Sequence, residues 1–203
     1  MIAPPDWFLH DVSRETLEKL DAYKNLLEKW TRKINLISRS TVEDIAMRHI
    51  WDSAQIYERI DGKWADLGSG GGLPAVVLAV LAEGWGDPLD MVLVESDQRK
   101  TTFLRTCARE LDVSFRVIPE RIDEIEPQFA DVVSARALAD LSGLIKLTLP
   151  HLKPGGVGVF MKGARWQEEV KDAQENWRFS YEATPSKTNP EAAILKIRDI
   201  QRV

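Results

Sequence analysis

The chain has a single cysteine, Cys107, among its 203 residues. An intrachain disulfide is therefore impossible, which suits a reducing compartment. No run of residues approaches the roughly 20 apolar positions that a membrane-spanning helix needs. The first ten residues contain Pro4, Pro5 and Asp6 where a signal peptide would need an apolar stretch. We therefore expect a cytoplasmic protein with no membrane partner.

The chain is acidic as a whole but basic in one segment. Its net charge of −5 argues against a protein that coats nucleic acid non-specifically, while its 44% hydrophobic residues are enough for a folded core. Residues 24–49 contain six Lys or Arg and three Asp or Glu. Such a segment could contact RNA locally, or it could be a solvated helix face.

The first 60 residues are predicted to form a helical extension to a compact unit at residues 61–203. Apolar residues recur every three or four positions in a helix that Ser13 is suited to cap. A second helix is expected after Ser40. The positions expected to face the core are Leu17, Leu20, Tyr23, Leu26, Leu27, Trp30, Ile45, Ile50 and Ile56.

Strand and helix patterns alternate through the rest of the chain. Strands are predicted at residues 64–67, 91–94, 115–118, 130–134 and 157–161, helices at 73–81, 98–111, 140–149 and about 166–177, and a closing hairpin of strands at 179–183 and 193–200. This alternation predicts a Rossmann-like α/β fold with a mostly parallel seven-stranded sheet and helices on both faces. The antiparallel C-terminal strand is more typical of methyltransferases than of dehydrogenases.

The strongest local signal is the motif DLGSGGGLP at residues 66–74. It follows a predicted strand and opens a helix, so its glycines allow backbone amides to approach a ligand closely. Glu95 ends the next strand, where a carboxylate can accept both hydroxyls of a ribose. We predict that Gly68, Gly70, Gly72 and Glu95 bind the nucleoside part of a cofactor. A turn that serves only the topology is the alternative.

Two features favour S-adenosylmethionine over NAD as that cofactor. The glycines are spaced GxGxG, whereas dinucleotide-binding loops read GxGxxG. Asp66, just before the loop, would repel a pyrophosphate but suits a cationic sulfonium and amino group. The sequence also has no Tyr-x-x-x-Lys pair for hydride chemistry. The adenine is expected near residues 121–124, after the third strand, where a plain surface loop is the alternative.

The end of the fourth strand, where this fold places the transferred methyl group, reads SARA at residues 134–137. It lacks the Asn/Asp-Pro-Pro-aromatic element used to methylate exocyclic amines, and Cys107 has the pattern of a buried residue rather than of a pyrimidine-attacking nucleophile. Guanine N7 needs neither element, because it has a free lone pair and no proton to remove. Arg136 could then bind the guanine edge or a phosphate. A salt bridge with Asp131 or Asp140 is the alternative.

Several motifs occur together: Trp30, NLI at residues 35–37, RHIWDS at 48–53, DLGSGGGLP, SARA, and KG at 162–163. In this combination, over roughly residues 23–165, the chain resembles the glucose-inhibited division protein B family, the guanine-N7 methyltransferases of small-subunit rRNA. One departure is Ala75, where that family usually has glycine.

The resemblance implies an enzyme that uses S-adenosylmethionine to methylate N7 of a guanine in 16S rRNA. The substrate would be that RNA, the small ribosomal subunit or an assembly intermediate, and we expect a monomer. By the same resemblance, the cofactor site would include Gly68, Leu73, Ile122, Asp123 and Arg136, and Arg136 would orient the substrate. The residues predicted to contact RNA are Lys29, Arg32, Lys33, Asn35, Arg48, Lys162 and Arg165.

Other interpretations of some of these residues stay open at this point. His49 and Asp52 share a helix face and could bind a phosphate or dock the helix onto the glycine loop. Asn35 could orient substrate or cap a turn, and Lys162 could be a solvated lysine. The histidines and Cys107 lack metal-ligand spacing, so no metal is expected.

Three other functions are compatible with parts of the sequence. They are a non-catalytic RNA- or ribosome-binding protein on a methyltransferase scaffold, an NAD-dependent oxidoreductase and a small-molecule methyltransferase. The Gly68 loop with Glu95 argues against the first, the glycine spacing against the second and the basic N-terminal segment against the third.

Overall fold

A computed structural model describes residues 2–203. In chain order its elements are α1 (Arg14–Thr31), a 3-10 helix (Arg39–Asp44), a π-helix (Ala46–Trp51), α2 (Asp52–Ala54), β1 (Gly62–Leu67), α3 (Ala75–Trp85), β2 (Leu89–Val94), α4 (Gln98–Leu111), β3 (Arg116–Ile118), β4 (Ala130–Arg136), α5 (Leu141–Thr148), a second 3-10 helix (Leu149–His151), β5 (Leu152–Lys162), α6 (Trp166–Gln174), β6 (Trp177–Pro185) and β7 (Ala193–Arg202). No helix within residues 2–203 is long and apolar enough to span a bilayer.

The seven strands form one sheet in the order β3-β2-β1-β4-β5-β7-β6. Strands β1 to β5 are parallel to one another, whereas β7 is antiparallel to β5 and to β6. The predicted mostly parallel sheet with an antiparallel C-terminal strand is therefore confirmed. The strand order reverses between β1 and β4, and ligands bind at the carboxyl ends of the strands at such a switch point.

Helix α1 forms as the sequence predicts. The Ser13 Oγ accepts a hydrogen bond from the Thr16 backbone N–H at 3.1 Å, so Ser13 is the N-cap. Leu20, Tyr23 and Leu27 are completely buried and belong to the same hydrophobic cluster as helix α3. The N-terminal extension was predicted to cover residues 1–60, of which Met1 lies outside the described residues. The hydrophobic core continues across the predicted boundary at residue 60.

The segment after Ser38 differs from the single helix that the sequence predicted. It passes from a 3-10 helix through a π-helix into α2. Its buried residues include the consecutive run His49, Ile50 and Trp51, which together span more than one face of a regular helix. The extra residue of a π-turn widens the helix at this point. Ile45, Ile50 and Ile56 are buried as predicted.

The C-terminal elements differ in length from the prediction: helix α6 is shorter, and strands β6 and β7 are longer. Helix α6 ends at Gln174 because Trp177 already begins β6. The Trp177 side chain is buried against α5 and its Nε1–H donates to Ser142 Oγ at 3.1 Å. Burial of this large ring and a partner for its N–H fix the start of the strand.

Candidate functional site

The glycine loop after β1 has a backbone that only glycine adopts easily. Gly68, Gly70 and Gly72 have φ values of 66°, 55° and 80°. A Cβ at Gly68 would lie 2.7 Å from Leu138 Cδ1, and a Cβ at Gly72 would lie 2.4 Å from Val76 Cγ2. Gly68 therefore allows close approach at the ligand side, and Gly72 allows close packing of α3 behind the loop.

Helix α1 supports the back of this loop. The buried Tyr23 hydroxyl donates a hydrogen bond to the Gly71 carbonyl. Burial raises the pKa of Tyr23, so the phenol stays protonated and remains a donor. A Cβ at Gly71 would lie 3.3 Å from Leu27 Cδ2, which shows how closely the helix covers the loop. The apolar periodicity predicted that Tyr23 is buried but not that its hydroxyl contacts the loop.

Glu95 follows β2 and both of its carboxylate oxygens contact the backbone. Oε2 accepts from the Gly70 N–H and Oε1 from the Asp97 N–H, each at 2.8 Å. The residue is 8% exposed. Each oxygen keeps a further lone pair, so the carboxylate can hold the loop and still accept a ribose hydroxyl.

A cavity of about 330 Å³ lies at the carboxyl ends of β1 and β2, and we call it the small cavity. Four residues predicted to bind the cofactor line it: Gly68, Glu95, Ile122 and Asp123. The predicted residues Asp66, Gly70, Gly72, Leu73 and Arg136 are not among its lining residues. The first four of these five belong to the strand end or the glycine loop that shapes the cavity.

Asp66 is 1% exposed beneath the glycine loop. Ser134 Oγ accepts from Trp64 Nε1–H at 2.9 Å and donates to Asp66 Oδ1 at 2.6 Å. Among the described residues, Asp66 Oδ2 has no hydrogen-bond partner. Burial, and to a smaller extent the nearby Glu95 charge, raises the pKa of Asp66 to about 7, although the hydrogen bond from Ser134 acts to lower it. A cation bound near this carboxyl would favour its ionised form.

A second cavity, of about 510 Å³, lies beside the first, and we call it the large cavity. Arg136, at the end of β4, is in its wall. The Arg136 Nη2 group donates to the Arg48 carbonyl at 3.0 Å and to His49 Nδ1 at 3.1 Å, and it lies 3.3 Å from Asp52 Oδ2. Arg136 Nη1 is buried and has no partner within residues 2–203. Its donors are therefore unsatisfied, and a ligand in the cavity would reach them only through a small shift of the side chains around Arg136.

The alternative salt bridge of Arg136 with Asp131 or Asp140 is wrong. Asp131 forms an ion pair with Lys153, and Asp140 Oδ1 accepts from the Gly143 N–H at the start of α5. Arg136 pairs with Asp52 instead.

His49 is neutral and its tautomer follows from its contacts. Burial and the neighbouring cations Arg136 and Arg48 lower its pKa to about 4. The Thr41 hydroxyl donates its proton to the Ser38 carbonyl at 2.8 Å, so it accepts from His49 Nε2 at 2.7 Å. His49 Nδ1 is then the acceptor for Arg136.

The predicted common face of His49 and Asp52 is confirmed, since both contact Arg136. Their segment thus contacts the end of β4 at Arg136. The sequence suggested that these two side chains dock their segment onto the glycine loop, but they contact Arg136 instead.

Three of the residues predicted to contact RNA line the large cavity: Arg48, Lys162 and Arg165. Arg48 and Arg165 are exposed, but Lys162 is only 9% exposed. Lys162 Nζ donates to the Ala139 carbonyl at 2.9 Å and forms an ion pair with Glu169. It is therefore not a solvated lysine, and its charge is already paired.

The other four predicted RNA contacts lie outside both cavities, at the end of α1 and in the segment after it. Lys29, Arg32, Lys33 and Asn35 are all exposed, and Arg32 pairs with Glu28 at 2.7 Å. Their contact with RNA stays a prediction.

Several site residues were missed by the sequence analysis. Ala137 and Leu138 line both cavities, so they separate the two. Ala137 ends the SARA motif and Leu138 follows it directly, and this position could have indicated their role. Ser186 and Thr188, from the C-terminal hairpin, also line the large cavity. No local pattern points to these two, because the tertiary fold alone brings them to the site.

Residues 2–203 contain no cluster of three or more His, Cys, Asp or Glu side chains that could hold a metal ion. Cys107 is fully buried in α4, and burial raises the pKa of its thiol. A buried thiol of this kind is a poor nucleophile.

The strand order, the glycine loop at its switch point and the two adjoining cavities define a Rossmann-like class I methyltransferase. A crystal structure of a tRNA methyltransferase from Aquifex aeolicus has the same fold, with a TM-score of 0.59 at 13% identity over 89% of this chain and 76% of that chain. The sequence model of the rRNA small subunit methyltransferase G family matches residues 16–194. The chain belongs to this family, which confirms the resemblance.

Two curated proteins named Ribosomal RNA small subunit methyltransferase G illustrate how far the similarity extends. The protein from Ruegeria pomeroyi is 46% identical over 98% of both chains. The protein from Cereibacter sphaeroides is 50% identical over 95% of this chain and 94% of its own. The similarity continues beyond the predicted limits of residues 23–165 in both directions.

Proposed function

We propose that this enzyme transfers the methyl group of S-adenosylmethionine to N7 of a guanine in 16S rRNA. The observation that carries the proposal is the pair of adjoining cavities, which share Ala137 and Leu138. The small cavity has the carboxylate and the glycine loop suited to a nucleoside. The large cavity has arginine donors suited to a guanine or a phosphate.

The residues of the small cavity fit the proposed cofactor. Glu95 can accept ribose hydroxyls with its remaining lone pairs. Asp66 does not line this cavity but lies buried beneath the glycine loop, and one of its oxygens has no partner among the described residues. Its ionised carboxylate would attract a sulfonium or ammonium group. These features match a cationic nucleoside better than a pyrophosphate.

The chemistry requires alignment rather than proton transfer. When bound, S-adenosylmethionine supplies a methyl group whose bond to sulfur breaks as a bond to guanine N7 forms. Because N7 carries no proton, the enzyme needs no general base, and it acts by holding the ring in line. A hydrogen bond from Arg136 to N7 would occupy the reacting lone pair. Arg136 is therefore assigned to guanine O6 or to a phosphate.

The route for the RNA follows from the exposed arginines. Arg48 and Arg165 are exposed at the large cavity, so the RNA backbone would enter there. The substrate is taken to be 16S rRNA, free or in the small subunit, and the enzyme a cytoplasmic monomer. Lys29, Arg32, Lys33 and Asn35 would extend this contact, while Lys162 would act mainly by supporting the cavity wall.

The proposal is tested by mapping N7-methylguanine in 16S rRNA from cells with and without the protein. We expect one modified guanine to be lost without it and restored by the wild-type chain. Restoration should fail with Arg136→Ala, although that variant should stay folded because Arg136 lies at the site and not in the core. An unchanged modification pattern in cells without the protein would refute the proposal.

A further inference from the structure

The two oxygens of the Asp52 carboxylate have different partners. Oδ1 accepts hydrogen bonds from Gln55 Nε2 at 2.8 Å, from Ser186 Oγ at 3.3 Å and from the Thr188 hydroxyl. Oδ2 lies 3.3 Å from Arg136 Nη2. The first oxygen fixes the carboxylate, and the second presents its charge to Arg136.

Ser186 and Thr188 belong to the loop between β6 and β7, which we call the hairpin loop (residues 186–192). This loop contacts the segment that carries Asp52 at further points. The Lys187 backbone N–H donates to Gln55 Oε1 at 2.8 Å, and Gln55 Nε2 donates to Ser186 Oγ at 3.1 Å. The hairpin loop is thereby held over the large cavity, which it lines through Ser186 and Thr188.

We propose that Asp52, held by the hairpin loop, is a positioning residue for the methyl acceptor, acting through Arg136. This inference rests on the proposed function and assigns the C-terminal hairpin a part in it. Asp52, His49 and the Arg48 carbonyl engage Nη2, whereas Nη1 is buried and has no partner among the described residues. A small shift of the cavity wall would let Nη1 donate to the substrate.

A charge argument supports the same assignment. Methyl transfer moves a positive charge from sulfur to the guanine ring. An isolated arginine in the same cavity would repel the positive charge that develops on the ring, whereas an Arg136–Asp52 pair is neutral overall. Asp52 therefore allows an arginine to bind the guanine or its phosphate without repelling the product ring.

The hydrogen bonds from Ser186 and Thr188 to Asp52 could instead serve only to attach the hairpin loop to the N-terminal segment. The two roles predict different effects on kcat when the hairpin loop no longer holds Asp52. If Asp52 acts through Arg136, loosening Asp52 should lower kcat only while Arg136 is present. If it only attaches the hairpin, loosening it should lower stability and leave kcat unchanged.

The test uses Thr188→Val, which removes one donor to Asp52 and keeps the side-chain shape. The matched control is Thr184→Val, the same change at an exposed position of β6. We expect Thr188→Val to lower kcat for rRNA methylation roughly 3- to 10-fold, less than the full effect of a charge-assisted hydrogen bond, because Gln55 and Ser186 still hold Asp52 Oδ1. Thr184→Val should behave as wild type. The Kd for S-adenosylmethionine should stay unchanged, because Thr188 lies outside the small cavity.

A double-mutant cycle separates positioning from attachment. In an Arg136→Lys background, Thr188→Val should change kcat less than about twofold, because the group that it positions has been replaced. An equal loss of kcat in both backgrounds would overturn the inference, and so would no loss in the wild-type background. Ser186→Ala provides a second variant with the same expectation should Thr188→Val not fold.

A measurement without turnover keeps this inference separate from the proposed function. In nitrogen-15 NMR spectra of the full chain, the Arg136 guanidinium protons should exchange more slowly in the wild type than in Thr188→Val. Identical exchange in both would overturn the role of Asp52, whatever RNA the enzyme modifies. Absence of N7-methylguanine with slowed exchange in the wild type would refute the proposed function and leave the positioning role supported.

Discussion

Asp66 gives a prediction whose size follows from the structure. Its buried carboxyl has a pKa of about 7, against 3.8 in an exposed aspartate. Between these two values the folded state holds a proton that the unfolded state has lost. Stability therefore falls as the pH rises through this window. At about 1.4 kcal/mol per pH unit, the contribution of Asp66 to the free energy of unfolding should fall by roughly 2–3 kcal/mol from pH 5 to pH 7.

His49 acts in the opposite direction, so the wild-type protein alone would not isolate this effect. The pKa of His49 is lowered from 6.5 to about 4, and its contribution to stability is lost as the pH falls through that window. Asp66→Asn keeps an acceptor for Ser134 but cannot titrate, while His49 is unchanged. The difference between wild type and Asp66→Asn therefore isolates Asp66.

The assay is urea unfolding of both proteins without cofactor at pH 5, 6, 7 and 8. The stability of the wild type relative to Asp66→Asn should decline from pH 5 to 7 and level off above that. A difference that stays constant from pH 5 to 8 would show that Asp66 is ionised throughout, and the account of its burial would fail. With saturating S-adenosylmethionine the decline should shrink, because a bound cation favours the ionised carboxyl.

Two further predictions concern the glycine loop. Gly72→Ala should lower the free energy of unfolding by about 2–5 kcal/mol, because it adds backbone strain at φ 80° to the clash with α3. The control is Gly86→Ala, at φ 69° with open space around it, which should lower the free energy of unfolding by only about 1–2 kcal/mol. Equal losses of the two variants in thermal unfolding would contradict the packing role of Gly72. Tyr23→Phe should cost about 1–2 kcal/mol in urea unfolding and weaken cofactor binding in calorimetry, since the Gly71 carbonyl loses its donor. The exposed Tyr181→Phe is its control, and a Tyr23→Phe protein identical to wild type in both assays would remove the hydroxyl from the support of the loop.

The segment with the RHIWDS motif shows where prediction from sequence stopped. The spacing of His49 and Asp52 placed them on one face, and the structure confirms this. It did not indicate what that face contacts. A π-turn replaces the expected regular helix, and the common partner is Arg136, which is 87 residues from His49 along the chain.

For Lys162, the sequence indicated the position in the sheet but not the charge partner. Its place at the end of β5 predicted a position at the carboxyl ends of the strands, and it lies there in the wall of the large cavity. Whether a lysine there is solvated or paired depends on α6, which brings Glu169 to it. A pattern of charges along the chain cannot show such a pair across elements.

Features that depend on local backbone conformation and on near neighbours in the chain could be predicted without the fold. The glycine spacing, the strand before it and Glu95 after the next strand predict a nucleoside site at a parallel sheet, because these features obey short-range rules of conformation and pairing. Which groups meet across the large cavity depends on packing between elements that are distant in the chain. Asp52 lies 134 residues from Ser186, and only packing of the C-terminal hairpin against the N-terminal segment joins them.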